Sequence, residues 1–187
     1  MVGVAAMAKS VTNGAAGGGA AAPTTFPKIL IANISSLKDN VPVTFNYPLQ
    51  NEPSLLVKVG QTAEGGIGPN NDIVAFSNIC QHLGCIYGFQ APGTSPPCNS
   101  SYVAKQPMGY CCCHGSQYDF LEGAKVIGGP APRPVPMVKL ELDSSGNIYA
   151  IGMDPPVIYG HGSPGSTDVT TDLQGGTLVT ATSGGQA

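Results

Sequence analysis

Two short stretches of the chain contain the residues best suited to binding a metal. Each holds a cysteine and a histidine close enough in sequence to reach one centre, and each holds further cysteine. Thiolate and imidazole together suit zinc, copper or the iron of an iron–sulfur cluster. The sequence therefore predicts one metal centre formed by both stretches, Cys80-Gln81-His82-Leu83-Gly84-Cys85 and Cys111-Cys112-Cys113-His114-Gly115-Ser116.

The distribution of cysteine and histidine leaves three interpretations open. All six cysteines lie between residues 80 and 113, and two of the three histidines, His82 and His114, lie within the two stretches, whereas His161 is far along the chain. The first interpretation is a pair of disulfide-linked loops with incidental histidines. The second is a structural zinc site, although zinc motifs usually pair cysteine with cysteine and histidine with histidine, and each stretch here mixes them. The third is a [2Fe–2S] cluster with two histidine and two cysteine ligands.

Composition predicts an all-β domain and argues against nucleic-acid binding. The chain has 26 glycines and 17 prolines, yet 42% of its residues are apolar, a combination that fits a turn-rich antiparallel β structure. Charged residues make up only 10% and the net charge is −3, with no cluster of lysine and arginine. This low charge hints at a protein that faces an acidic exterior. No run of 18 apolar residues is present, so no transmembrane segment is predicted.

Alternating and continuous apolar segments predict the strands that position the two stretches. We expect one strand to end just before Cys80 and a short one to follow the second stretch, with proline-rich loops over residues 91–101 and 128–136. An edge hairpin of residues 169–171 with 177–180 is a weaker prediction. The predicted strands are Lys28–Ala32, Pro42–Tyr47, Leu55–Val59, Ile73–Phe76 and Tyr118–Phe120, followed by a hairpin of Val138–Leu142 with Asn147–Ile151.

The chain divides into three parts by composition. Residues 1–25 are rich in glycine and alanine and predict a flexible linker or the remnant of an anchor. Residues 26–160 are expected to fold as one domain, and residues 161–187 are a Gly/Ser/Thr-rich extension.

The two stretches resemble the two boxes of Rieske iron–sulfur proteins, in particular those of quinol-oxidising cytochrome bc-type complexes. The low charge of the chain is similar to that of versions from thermoacidophilic archaea. The resemblance implies a Rieske-type antiparallel β sandwich or barrel, with a small cluster-binding subdomain over about residues 78–136 that is formed by two loops. It rests on Cys-x-His-x-Gly-Cys over 80–85, Cys-x-Cys-His-Gly-Ser-x-Tyr-Asp over 111–119, and Gly129-Pro130-Ala131-Pro132.

The resemblance implies one [2Fe–2S] cluster and a set of four ligands. Cys80 and Cys111 would bind the inner iron, and His82 and His114 would bind the outer, more exposed iron. Neutral imidazoles in place of two thiolates make the centre less negative, which raises its reduction potential.

The remaining cysteines predict disulfides. The resemblance implies a bridge between Cys85 and Cys113, which Rieske ferredoxins and ring-hydroxylating oxygenases usually lack, and so indicates the high-potential respiratory branch. Cys112 occupies a position that is normally proline, and Cys98 has no usual counterpart. Since a bridge between adjacent cysteines would strain the backbone, we favour Cys98–Cys112 as a second bridge, with two buried free thiols as the alternative. Two disulfides would place the domain outside the cytoplasm.

Three further residues near the predicted ligands have candidate roles. Ser116 and Tyr118 are expected to donate hydrogen bonds to sulfur, which would raise the reduction potential, although both could be ordinary turn and core residues. Leu83 is expected at an exposed tip, as part of an apolar collar around the histidines where a quinone or a partner protein docks; its alternative role is a buried apolar residue.

The resulting functional hypothesis is a one-electron carrier that is not a catalyst on its own. It would accept an electron from a membrane quinol, with a proton taken up by His82 or His114, beside a cytochrome b-type subunit. It would then pass the electron to a cytochrome or copper protein. We expect it at the extracytoplasmic face of the membrane, attached by an anchor preceding Met1. The alternatives are an electron-transfer subunit of a soluble oxidoreductase similar to arsenite oxidase, and a structural zinc module.

Overall fold

The computed structural model of the protein describes residues 25–159, 169–171 and 177–180. The predicted linker therefore lies outside the described residues except for its last position, and so does most of the predicted extension, including His161. Within the described part, the chain forms one turn of 3-10 helix at Ile34–Ser36 and twelve strands. These are β1 Ile29–Asn33, β2 Val43–Asn46, β3 Pro53–Lys58, β4 Ile73–Ser77, β5 Gly88–Gln90, β6 Met108–Tyr110, β7 Gln117–Asp119, β8 Lys125–Gly128, β9 Met137–Leu142, β10 Asn147–Asp154, β11 Val157–Tyr159 and β12 Val169–Thr171.

A six-stranded antiparallel sheet forms the base of the molecule, in the order β1-β10-β9-β4-β3-β2. Its central strands carry apolar side chains on both faces, since every residue of β4 is buried. Leu56 and Ala75 face one core with Ile148, which we call the base core, whereas Val57 and Phe76 face a second core. Because successive side chains of a strand point to opposite faces, β3 and β4 join the two cores.

A four-stranded antiparallel sheet, in the order β5-β6-β7-β8, lies in the chain between β4 and β9. Its strands are only three or four residues long. The first metal-binding stretch connects β4 to β5, and the second connects β6 to β7. Tyr118 and Phe120, from β7 and the residue just after it, pack in the second core beside Phe76 of the base. This sheet, which we call the cluster-binding sheet, lies within residues 78–136, where the sequence predicts the cluster-binding subdomain, and the all-β antiparallel fold is confirmed.

The structure adds strands that the sequence did not predict, and it overturns one prediction. The strands that were not predicted are too short for a periodic pattern to be visible, and three of the four contain glycine; they are β5, β6, β8 and β11. The predicted hairpin of residues 169–171 with 177–180 is wrong: β12 pairs with β11, and Leu178 instead bridges to Leu49. The neighbouring Val179 is buried in the base core, so this part of the predicted extension packs on the domain.

Among the described residues, no helix has the length and apolar character needed to cross a membrane.

Candidate metal centre

The first cluster loop, residues 80–85, is a tight turn closed by its own backbone. The amide of Cys80 donates to the carbonyl of Cys85 at 2.7 Å, and the amide of Gly84 donates back to the carbonyl of Cys80 at 2.9 Å. Gly84 has φ +76°, in the left-handed region that glycine adopts without a steric penalty. A bridge between Ile79 and Ile86 closes the base of the loop.

The second cluster loop, residues 111–116, repeats this architecture. The amide of Cys111 donates to the carbonyl of Ser116, and the amide of Gly115 donates to the carbonyl of Cys111, each at 2.8 Å. Gly115 has φ +79°. Each loop therefore begins at a buried cysteine, carries its histidine across the turn, and closes on a glycine four residues after that cysteine.

The two loops bring the four predicted ligands together in two layers. Cys80 and Cys111 are free thiols, each only 1% exposed, and they share a hydrogen bond. The rings of His82 and His114 lie edge to face, with 4.8 Å between their centroids. His82 is half-buried, whereas His114 is exposed. The cysteine pair thus lies inside the protein, and the histidine pair lies toward solvent.

One atom at this site indicates a ligand directly. Nδ1 of His82 is buried and has no hydrogen-bond partner among the described residues. An unpaired polar atom in the interior is costly, unless it binds something else. A metal on this nitrogen, with the thiols of Cys80 and Cys111 alongside, fits the donor set of a mixed histidine and cysteine centre.

The electrostatics of the site favour a thiolate. The hydrogen bond from Cys111, against the opposing effect of burial, lowers the pKa of Cys80 to about 5, with further contributions from Tyr118, the His82 amide and Ser116. The pKa of Cys111 is raised, first because its thiol donates to Cys80 and then because it is buried. Since the thiolate is the form that binds metal, the protein prepares Cys80 for coordination.

Both predicted hydroxyl groups are directed at Cys80. The hydroxyl oxygen of Tyr118 lies 3.1 Å from Sγ of Cys80 and accepts the Gln81 amide at 3.0 Å, so its own proton is available to the sulfur. Burial and the hydrogen bond to Cys80 raise the pKa of Tyr118. The hydroxyl of Ser116 accepts the Ala131 amide at 3.2 Å and makes a hydrogen bond that lowers the Cys80 pKa.

Both predicted disulfides are present, Cys85–Cys113 with 6.6 Å between the Cα atoms and Cys98–Cys112 with 5.7 Å. The Sγ atoms of Cys85, Cys111 and Cys113 all lie within 4.8 Å of one another. That group is not a three-cysteine metal site, because two of its sulfurs are bonded to each other. Cys111 alone of the three has a thiol to offer.

The structure departs from the sequence prediction at two surface details. Leu83 is half-buried and not a fully exposed tip, whereas Ile86 is 55% exposed beside the first loop. The close packing of Gly129 against the second cluster loop was not predicted. A Cβ atom at this position would lie 2.3 Å from the Gly115 carbonyl oxygen. The loop after β8 therefore packs directly on the second cluster loop, and a glycine preceding the proline-rich segment was the available signal.

Comparison with known proteins identifies the class. Residues 28–139 match the family model of the Rieske [2Fe-2S] domain. This match covers more than half of the chain, so the protein belongs to the Rieske [2Fe–2S] family, whose members bind one [2Fe–2S] cluster and transfer electrons. The donor set described above fits that cluster.

The similar proteins include subunits of two different complexes and one solved structure. The chain is 35% identical over 139 residues to the iodate reductase subunit IdrB of Denitromonas iodatirespirans, covering 74% of this chain and 68% of that protein. It is 34% identical over 80 residues to the cytochrome bc1 complex Rieske subunit of Streptomyces lividans, covering 43% of this chain and 40% of the relative. The soluble domain of Rieske protein II (soxF) from Sulfolobus acidocaldarius has a similar structure, with a TM-score of 0.61 and 33% identity, over 79% of this chain and 85% of that chain.

Proposed function

We propose that Cys80 and Cys111 hold the inner iron of the cluster and that His82 and His114 hold the outer iron. The unpaired Nδ1 of His82 and the two adjacent free thiols support this assignment. When bound, the cluster supplies one-electron redox chemistry at a raised potential. The surrounding chain keeps the cysteines dry and leaves the histidine side open.

The function that this geometry supports best is electron transfer from a membrane quinol in a respiratory complex. The observation that carries it is the exposure of His114 above a buried cysteine pair. An exposed imidazole can accept a hydrogen bond from a quinol hydroxyl and take up its proton. The partners would be a cytochrome b-type subunit and, as acceptor, a cytochrome or copper protein. The two disulfides support an extracytoplasmic location, and attachment to the membrane is part of the same proposal.

A second candidate function is that of a Rieske subunit in an oxidoreductase that does not oxidise quinol. It is favoured by coverage, because the iodate reductase subunit matches 74% of this chain whereas the Streptomyces bc1 subunit matches 43%. A relative from Haloferax mediterranei, described as a putative respiratory nitrate reductase subunit, matches 56%. In this role, His114 would face a protein surface that delivers or receives the electron.

Purification of the native assembly distinguishes the two functions. If the protein oxidises quinol, a tagged copy recovered from its own cells should be isolated together with b-type haem. Its [2Fe–2S] signal in electron paramagnetic resonance should then appear when a short-chain quinol is added. Recovery with a reductase subunit, without b-type haem and without reduction by quinol, would establish the second function. A colourless protein containing stoichiometric zinc would contradict both.

A further inference from the structure

The connection between β5 and β6, residues 91–107, is much longer than either cluster loop. We call it the strap. It folds back on itself, because the amide of Gly93 donates to the Ala104 carbonyl at 2.8 Å and the amide of Ala104 donates to the Thr94 carbonyl at 2.9 Å. Ala104 is buried, so the strap is seated on the subdomain at this point. Its sequence is rich in proline, and it contains Cys98.

The strap contacts both residues that flank the predicted ligand Cys111. On one side, Cys98 forms the disulfide with Cys112. On the other side, Nδ2 of Asn99 donates to the hydroxyl of Tyr110 at 3.1 Å, and the ring of Tyr102 packs on the Tyr110 ring with 5.3 Å between centroids. The backbone of Cys111 is therefore held on both sides by one segment.

The same contacts extend to the residue that follows His114. A Cβ atom at Gly115 would lie 3.7 Å from the Tyr110 hydroxyl, so this hydroxyl lies directly against the backbone of the second cluster loop. Gly129 packs against Gly115 as well, at a separation that excludes any side chain on Gly129. The loop turn that presents His114 thus lies against Tyr110, which the strap holds in place, and against the proline-rich loop.

His114 needs such support because its own side chain is exposed. An exposed imidazole on a six-residue loop has little packing to fix it, unlike the half-buried His82. A metal-binding side chain is usually held in one position by contacts from outside its own loop, such as a covalent bond and a hydrogen bond that restrict the motion of the loop.

We propose that the strap is a positioning element for the second cluster loop: through Cys98–Cys112 and the Asn99–Tyr110 hydrogen bond it sets where His114 stands relative to Cys111. This inference rests on the ligand assignment of the proposed function. The strap's disulfide to Cys112 and its contacts to Tyr110 act through the backbone of residues 110–115.

The test removes the strap's attachments one at a time. In the cluster-free protein, the double variant Cys98→Ser/Cys112→Ser should exchange the Gly115 amide hydrogen about tenfold faster than wild type, because its hydrogen bond to Cys111 opens more often. Asn99→Ala should act in the same direction with a smaller effect. In the reduced holoprotein, both variants should keep a full complement of [2Fe–2S] spins but show broader resonance lines, since His114 would occupy several positions.

The matched control is Thr94→Val, which changes the strap where Thr94 bonds to Ala91 and Gln90, away from the second cluster loop. It should leave the exchange rate and the line width at wild-type values. Unchanged exchange and line width in the double variant would overturn the proposal. If the double variant does not fold, Asn99→Ala and Tyr110→Phe, which keep both disulfides, decide the question. Absence of a [2Fe–2S] signal in wild type would refute the ligand assignment instead, and the exchange measurement would still judge the strap.

Discussion

The base sheet and the cluster-binding sheet are each stabilised in a different way. The base has strands of up to eight residues and a continuous apolar core. The cluster-binding sheet has strands of three or four residues, and both disulfides of the described chain lie between residues 85 and 113. Short strands bury too little surface to be stable alone. The site region therefore depends on covalent bonds more than the base does, and the base depends on packing.

The two regions nevertheless share one core. Val57 and Phe76 of the base pack in the same cluster of buried residues as Cys80, Cys111 and Tyr118. The rings of Phe76 and Phe120 lie 4.7 Å apart between centroids. The base thus supplies apolar side chains that pack against Cys80 and Cys111, and the cluster-binding sheet supplies the polar groups that act on Cys80.

Removal of the bridge between the two cluster loops should produce the largest effect. Cys85→Ser/Cys113→Ser opens a crosslink over 28 residues, which corresponds to about 3.5 kcal/mol of unfolding free energy from loop entropy. Because this bridge ties both ligand loops together, the cluster should also be lost, as visible absorption would show. Cys98→Ser/Cys112→Ser is the control and should retain the cluster. Retention of the cluster in the first variant would mean that packing alone holds the loops.

A cavity in the base core should destabilise the protein without changing its redox properties. Leu56 is completely buried in the core that does not contain the site. Leu56→Ala should reduce the free energy of unfolding by about 3 kcal/mol in urea titrations. The midpoint potential of the cluster should stay at the wild-type value. A shifted potential would show that the core around Leu56 is coupled to the core around the site more strongly than their separate packing indicates.

Loss of a hydroxyl at the site should have the opposite profile. Tyr118→Phe removes a hydrogen bond to Cys80 Sγ, which carries more negative charge after reduction, so the midpoint potential should fall. A hydrogen bond to a charged group contributes about 1.5–3 kcal/mol, and only the part gained on reduction shifts the potential, so the fall should be at most about 60–130 mV for one electron. Ser116→Ala should also lower the potential. Tyr149→Phe, which removes a hydroxyl from the base, is the control for voltammetry and should cause no shift.

The smallest effect concerns the turn between β9 and β10 of the base. Backbone and side-chain hydrogen bonds from Asn147, followed by those from Ser145 and Tyr149, lower the pKa of Asp143 from its ordinary value of 3.8. A carboxyl with a lowered folded-state pKa adds stability above the unfolded-state pKa, and this is lost as the pH falls through the folded-state value.

Asp143→Asn should therefore lower the urea midpoint slightly at pH 6, and the difference from wild type should shrink below about pH 4. The control Asp154→Asn removes one carboxylate of an exposed ion pair, in which Lys139 Nζ lies 3.7 Å from Asp154 Oδ2. Its urea midpoint at pH 6 should differ less from that of wild type. A difference between wild type and Asp143→Asn that persists unchanged at pH 3 would assign the effect to shape and not to charge.

Much of the fold and of the site was predictable from residue order. The apolar runs of β3 and β4 and the alternating residues of β9 and β10 predicted those strands, because strands of five or more residues carry a visible pattern. The four predicted ligands were recognisable because a cysteine and a histidine occur at short spacing in each of two short segments that also contain a glycine. Strands β5 and β6 were not predictable, since three residues carry no period and their pairing depends on neighbours distant in the chain.

The sequence by itself determined the all-β class, the kind of metal centre and the residues that can form it, because these depend on residue type and local spacing. Only the tertiary structure decided that Cys80 and Cys111 lie inside while His114 faces solvent, that Tyr118 directs its hydroxyl at Cys80, and that the strap holds both neighbours of Cys111. The physical reason is that burial and hydrogen-bond direction arise from segments far apart in sequence, which meet only when the two cores form.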